Sequence, residues 1–287
     1  MQKETHQHYQ EAINRALEFI ETNTSRSISL EEIATYAFLS KYHFHRVFKS
    51  LIGNTTKDYL TRLRLEKAAL MLKSSDRSIN QIAYDCGYSS PETFMRAFKS
   101  FFSVTPSVFR EGTRQEIAQK EIVYQETSFE TLHVKPPTIV ESPDLHLAYL
   151  RQFGSYDQMD QSFRQLFSWA SEHLALKQQP EIMGIVHDNP DLTEEENLRF
   201  DACIVVPQAI QASGAIGYKK IKGGKFSVFR YKGAFETFYP VYDYIYNVCL
   251  FEYQWELRDE PVLEWYYSSP PFYNSHQLVT DFYLPIT

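Results

Sequence analysis

Residues Ile33 to Ser50 read IATYAFLSKYHFHRVFKS, and residues Ile82 to Ser100 read IAYDCGYSSPETFMRAFKS. Both stretches open on Ile-Ala and differ by one residue in the middle. Both close on Phe-x-Arg-x-Phe-Lys-Ser, at Phe44, Arg46, Phe48 and Lys49 and again at Phe94, Arg96, Phe98 and Lys99. Self-similarity of this kind marks a duplicated supersecondary unit. Each copy carries the signals of helix, tight turn, helix. Ser29 with Glu32 three residues on makes a capping box, flanked by Ile28 and Ile33 as a hydrophobic staple, and Ser78 with Gln81 repeats the box. Gly87 supplies a turn. Ser90 is placed to cap the helix that follows, with Pro91 at its first position, where a missing N–H costs nothing.

The second helix of each unit is amphipathic in the same register. Phe44, Val47, Phe48 and Leu51 fall at i, i+3, i+4 and i+7, as do Phe94, Ala97, Phe98 and Phe101, so these positions are expected in the core. The opposite faces then present Lys41, Tyr42, His45, Arg46 and Lys49 in one copy, and Glu92, Thr93, Arg96 and Lys99 in the other. Arg can fork onto guanine, Thr can touch a thymine methyl, and Lys neutralises phosphate. A solvated surface would explain one such helix. Two in the same register point to double-stranded DNA. Between them, Thr55 to Lys73 has no Gly or Pro, carries Arg62, Arg64 and Lys67, and reads as one helix. Its span of roughly 28 Å approaches the roughly 34 Å of one DNA turn. One chain is therefore expected to reach two successive major grooves, at an asymmetric promoter site.

These residues resemble the AraC/XylS regulators over roughly residues 8 to 110. The resemblance rests on Ser40, Tyr42, Arg46, Phe48-Lys49, Gly53, Tyr59, Arg62, Arg64, Ala68 and Leu72. It continues through Ile82-Ala83, Gly87-Tyr88, Phe94, Arg96, Phe98-Lys99, Thr105-Pro106 and Arg110. It implies that Tyr42, His45 and Arg46 read one groove while Thr93 and Arg96 read the next, with RNA polymerase as a further partner. Ser103 stands where the family usually has Gly, and Pro91 and Glu92 occupy positions that often help in base contact.

Charge follows the same division. The net charge is −7, yet residues 1–112 hold 15 Lys+Arg against 12 Asp+Glu, and the remainder holds 14 against 24. Nucleic-acid contact therefore belongs to the first part. The acidic remainder suits a cationic ligand or serves solubility alone. The polar start and the lack of a long apolar run predict a cytoplasmic protein with no membrane partner. Cys86, Cys203 and Cys249 are far apart and have no Cys-x-x-Cys spacing, so they read as ordinary thiols. Without a metal-ligand spacing, phosphate loop or nucleophile elbow, no catalytic residue, metal or cofactor is expected.

A second, longer repeat follows. Leu147 to Gly154, LAYLRQFG, answers Phe226 to Gly233, FSVFRYKG, about 79 residues on. Each copy continues into a helix-like stretch, a Pro-led strand at Pro180 or Pro261, and a closing strand with Asp201 or Asp281. The predicted fold is multidomain. An all-α N-terminal domain with two helix-turn-helix units occupies residues 1–112, and residues 113–136 form a linker. An α+β domain of two strand-helix-strand-strand repeats occupies residues 137–287, its helices on one side of the sheet.

This second domain resembles the GyrI-like effector-binding domain, on Gly154-Ser155-Tyr156, Gly223-Gly224, Gly233-Ala234-Phe235 and Pro261 to Tyr266. Glu264, in the strand PVLEWYY, shares a face with Val262 and Tyr266, and a charge in so aromatic a strand needs a reason. The resemblance implies that this glutamate binds the cationic part of a small-molecule effector. Trp255, Trp265 and Tyr266, with Tyr267, Phe272 and Tyr273, are candidates for an aromatic wall. A solvent-facing strand residue is the plainer alternative. The expected function is a DNA-binding transcription regulator modulated by a cationic or amphipathic effector. The alternatives are a GyrI-like small-molecule hydrolase and an inhibitor of a protein partner tethered to DNA.

Overall fold

The computed structural model describes residues 2–123, 128–174, 180–211, 213–258, 260–267 and 278–287. They fall into two compact units, Met1–Ala118 with Ser213–Ala215, and Gln119–Ala212 with Ile216–Thr287. No helix among the described residues is long and apolar enough to cross a membrane.

The helical part runs α1 (Gln2–Thr22), α2 (Leu30–Tyr36), α3 (Lys41–Ile52), α4 (Thr56–Ser74), α5 (Ile79–Asp85), α6 (Pro91–Phe102) and α7 (Pro106–Val123). The caps are local. Ser29 and Glu32 complete a reciprocal box at α2, the Ser78 side chain accepts from Gln81 N at α5, and Ser90 accepts from Thr93 N ahead of Pro91 at α6. The pairs α2–α3 and α5–α6 turn in the same way, through Leu39 N to Ala34 O and Tyr88 N to Ala83 O, each 3.0 Å. Both turns need a left-handed residue. Gly87 supplies it at φ +77° in the second copy, whereas Phe38 is held at φ +57° in the first.

Aromatic rings fill both cores: Phe44, Phe48 and Tyr59 in one, Phe94, Phe98 and Phe109 in the other. Leu51 and Phe101, expected in the core, are instead 39% and 43% exposed. Both lie in the last turn of their helix, just before the chain leaves in a left-handed residue, Gly53 at φ +84° and Ser103 at φ +64°, so the periodicity continues but its packing partners do not. The basic residues of α4 serve the fold. Arg62 pairs with Glu66 at 3.1 Å, Arg64 donates to Thr24 O and Arg26 O at 2.9 and 2.6 Å, and Lys67 donates to Ser25 Oγ at 2.9 Å. Arg64 also packs over the Tyr88 ring, tying the loop after α1 to the second turn. A Cβ at Gly87 would lie 2.5 Å from Thr24 O and 2.9 Å from Arg64 Nη2.

The second unit holds β1 (Thr138–Ser142), β2 (Leu145–Phe153), α8 (Met159–His173), β3 (Ile182–Val186), β4 (Arg199–Val206), β5 (Ile216–Ile221) and β6 (Gly224–Gly233). Then come α9 (Phe238–Tyr244), a π turn (Ile245–Cys249) leading into α10 (Leu250–Glu252), β7 (Val262–Tyr266) and β8 (Leu278–Pro285). The eight strands form one antiparallel sheet in the order β1-β6-β8-β7-β3-β4-β2-β5. Strands β1 and β5 are additional to the strand-helix-strand-strand unit read from the sequence. Phe163 of α8 packs on Tyr266, and Tyr242 of α9 reaches Glu264, two residues away on β7, so both helices cover the same face of the sheet.

The other face carries Leu147, Tyr149, Met183, Ile185, Cys203, Phe226, Val228 and Leu263 as a buried cluster. Beside it, Asp201, fully buried, accepts from Arg151 at 2.6 and 2.9 Å and from His187 Nε2 at 2.8 Å, and pairs with Lys219. Burial pushes the Asp201 carboxyl up, but Arg151 and Lys219 hold it well below its usual range. His187 and the neighbouring Asp188, read from sequence as loop residues, follow β3 but are used inside. Asp188 forks onto Arg199, with the closest contact at 2.6 Å. Glu194, Glu195 and Glu196 are exposed.

Two stability predictions follow. Gly87→Ala adds a Cβ against a backbone oxygen at a left-handed position and lowers stability by more than about 1 kcal/mol, whereas Ser103→Gly relieves a left-handed serine and raises it by up to about 1 kcal/mol; urea denaturation of the full chain reads both. Asp201→Asn strands buried cations and costs on the order of 3 kcal/mol in the same assay. A loss below about 0.5 kcal/mol would mean the Asp201 network is not structural.

Candidate DNA-reading surface and effector site

The amphipathic register of α3 and α6 buries Phe44, Val47 and Phe48, and Phe94 and Phe98, against the helical core. The rest of each helix surface is thereby turned outward. Lys41, Tyr42, His45, Arg46 and Lys49 are all exposed on α3, Tyr42 to 85%, and Glu92, Thr93, Arg96 and Lys99 are all exposed on α6. Arg96 Nε leans on the Glu92 carbonyl at 3.4 Å. The two surfaces differ in charge. The α3 surface is wholly basic or polar, while α6 sets Glu92 among its cations and leaves Met95 42% exposed.

Glu264 sits at the middle of the sheet, on one of its two central strands, and is 2% exposed. Alternation along β7 points Val262, Glu264 and Tyr266 to the helix-covered face. Oε1 accepts from the Tyr242 hydroxyl at 2.6 Å, and Oε2 accepts from the Tyr266 hydroxyl. Among the described residues, both printed partners of this carboxylate are phenols. Burial raises its pKa to about 7, against the opposing pull of the two phenol hydrogen bonds.

Aromatic rings complete the surroundings. Tyr242 packs on Phe282 and stacks with Tyr246, at 5.0 and 6.4 Å between ring centres, and Phe163 contacts both Phe200 and Tyr266. Tyr156 contacts Phe200 and donates to Asp188 O at 2.9 Å. In register with Glu264 across the sheet lie Gly184 and then Ala202, so the floor on that side is made of small residues.

Of the expected aromatic wall, only Tyr266 touches Glu264. Trp265, one residue along the strand, points to the opposite face and packs on Tyr283 at 5.5 Å. Trp255 lies against Phe229 and Tyr253. Phe229 and Glu264 are separated by β8 in the same register row, which puts Trp255 about 10 Å away across the sheet. Tyr267 is exposed and holds Asp281 at 2.9 Å. Phe272 and Tyr273 lie outside the described residues. Sequence reading missed Tyr242, Tyr156, Phe163, Phe200 and Gly184. The one local signal was the i, i+4 spacing of Tyr242 and Tyr246, which sets two phenols on one helix face.

Comparison with known proteins places both parts. A model described as a GyrI-like small molecule binding domain matches residues 135–287, and one described as a helix-turn-helix domain matches residues 33–112. Transcriptional regulator Rob of Salmonella typhimurium is 26% identical over 268 residues, 90% of each chain. The probable transcription factor PqrA of Proteus vulgaris is 40% identical over 102 residues, 35% of this chain and 84% of its own. Among solved structures, an AraC-type regulator from Chromobacterium violaceum is 31% identical, with a TM-score of 0.34 over 36% of this chain and 93% of its own. These relatives are regulators of transcription, not enzymes, and with more than half of its length matched by the GyrI-like model the chain belongs to the AraC-type transcriptional regulators that carry a GyrI-like small molecule binding domain.

Proposed function

We propose that this regulator reads an asymmetric promoter site with α3 and α6 in successive major grooves, and that a cationic or amphipathic effector anchored at Glu264 modulates it. Residues 1–112 carry DNA binding, 113–136 join the two parts, and 137–287, built from a duplicated unit, carry the effector site. Lys41, Tyr42, His45, Arg46 and Lys49 engage one groove, and Glu92, Thr93, Arg96 and Lys99 the other. RNA polymerase is the further partner through which the bound regulator acts. The cytoplasm is the compartment this function needs. For the DNA half, support comes from two exposed faces of matching register. For the effector half, it comes from a buried carboxylate whose hydrogen-bond partners are phenols: a carboxylate without a protein cation is a site that a cationic ligand stabilises.

A duplex selected from a random pool by the wild-type protein provides the test of DNA reading. Arg46→Ala and Arg96→Ala should each weaken binding to it by about 1 to 3 kcal/mol, and Lys49→Ala should lower the slope of log affinity against log salt by about one. Unchanged affinity in both arginine variants would overturn the assignment of the reading helices.

The pH behaviour of Glu264 tests the effector half. With its carboxyl raised from an ordinary 4.5 to about 7, the folded protein holds a proton that the unfolded chain releases. Stability from this group is complete below about pH 4.5 and is lost as pH rises through about 7, roughly 3 kcal/mol in all. Glu264→Gln removes that slope from urea denaturation curves taken across this range. Cation affinity runs the opposite way. It should increase as pH rises through about 7 in the wild type and stay low and flat in Glu264→Gln; equal loss of neutral and cationic ligands would point to damaged folding instead.

A further inference from the structure

Tyr266 occupies the place beside Glu264 that a ligand would need. It lies on the same strand as Glu264, two residues on, so its hydroxyl reaches Oε2 only if its ring lies back along the sheet. The space for that is at Gly184, in register opposite Glu264 on β3. A Cβ there would stand 2.5 Å from the Tyr266 hydroxyl and 2.7 Å from the Phe200 ring. The next residue across, Ala202, is also small. The floor next to the carboxylate is thus a bare strip of sheet roofed by the Tyr266 ring, which is fixed in turn by the edge of Phe163 at 5.8 Å. Tyr242 differs. It comes down from α9 onto the other oxygen, its ring set between Phe282 and Tyr246, and it does not cover the strip.

A six-membered aromatic ring on a glycine floor, with an O–H donor aimed at a buried carboxylate oxygen, describes the shape and polarity of a ligand. We propose that Tyr266 is an internal stand-in for the effector, which is a flat aromatic cation bearing an N–H donor: its ring replaces that of Tyr266 over Gly184 and its charge takes Glu264 Oε2. This rests on Glu264 being the effector anchor. Tyr242 keeps its hydrogen bond to Oε1 in the complex. Exchange of a phenol donor for a cationic donor strengthens the contact with the carboxylate, and the affinity observed is that gain less the cost of moving Tyr266.

The test uses the full-length protein at about pH 8 and two flat probes of nearly equal shape, benzamidinium and neutral benzamide, by titration calorimetry. Tyr266→Phe removes the competing hydroxyl and Tyr266→Ala clears the strip as well. Benzamidinium affinity should rise severalfold in the first and about tenfold or more in the second, with little change for benzamide. Tyr242→Phe should weaken benzamidinium, the opposite sign. Gly184→Ala placed in the Tyr266→Ala background should cancel the gain by filling the strip. If Tyr266→Ala proves unstable, benzamidinium should raise its Tm more than that of the wild type. The proposal is overturned if neither Tyr266 variant gains benzamidinium affinity, or if benzamide gains as much. Loss of wild-type benzamidinium binding in Glu264→Gln, with no effect of the Tyr266 variants, would keep Glu264 as anchor and discard the stand-in. Benzamidinium binding that Glu264→Gln leaves unchanged would discard both.

Discussion

An ionisable carboxyl at the centre of an eight-stranded sheet, 2% exposed, constrains everything packed around it. Taking such a group out of water is costly unless it is hydrogen-bonded or gives up its charge. Here both routes are used in part. Two phenols donate to Glu264, and burial still lifts its pKa to about 7. The sheet must then offer a residue without a side chain at Gly184 so that Tyr266 can reach one oxygen, and the helix α9 must be placed so that Tyr242 can reach the other. The aromatic content of this face follows from the same constraint, since rings with one polar tip can line a dry site and satisfy a single acceptor.

Asp201 shows what the same sheet does with a structural carboxylate. It is as deeply buried as Glu264 but on the opposite face, and Arg151 and Lys219 keep it ionised, with His187 adding a hydrogen bond. A carboxylate supplied with its own cations is locked, and one supplied with neutral donors near the pH of the cell is responsive. The two groups sit in one domain within a few strands of each other. Their different partners, rather than their burial, separate scaffold from site.

In the helical part the division of labour is by helix face. The basic residues of α4 look on the sequence like extra DNA contacts, yet Arg62, Arg64 and Lys67 are engaged with Glu66, Thr24, Arg26 and Ser25. What is left outward on α3 and α6 is the set that the amphipathic pattern assigns there. A regulator of this kind needs a rigid mount for its reading helices, and Arg64, joining the loop after α1 to the turn at Gly87, contributes to one.

The sequence by itself determined the local and the periodic. The caps at Ser29, Ser78 and Ser90, the turn at Gly87, the faces of α3 and α6 and the face of β7 that bears Glu264 all depend on residues within one or two turns of each other, so a single chain reading recovers them. The tertiary structure alone decided what crosses between elements. It decided that Leu51 and Phe101 run out of partners at their helix ends, that Trp265 turns away from Glu264 while Tyr242, forty positions from any strand neighbour in the sequence pattern, is brought onto it, and that Gly184 faces Glu264 across the central pair of strands. Strand pairing and helix docking join residues far apart in the chain, and the free energy that selects them belongs to the packed whole, not to any local segment.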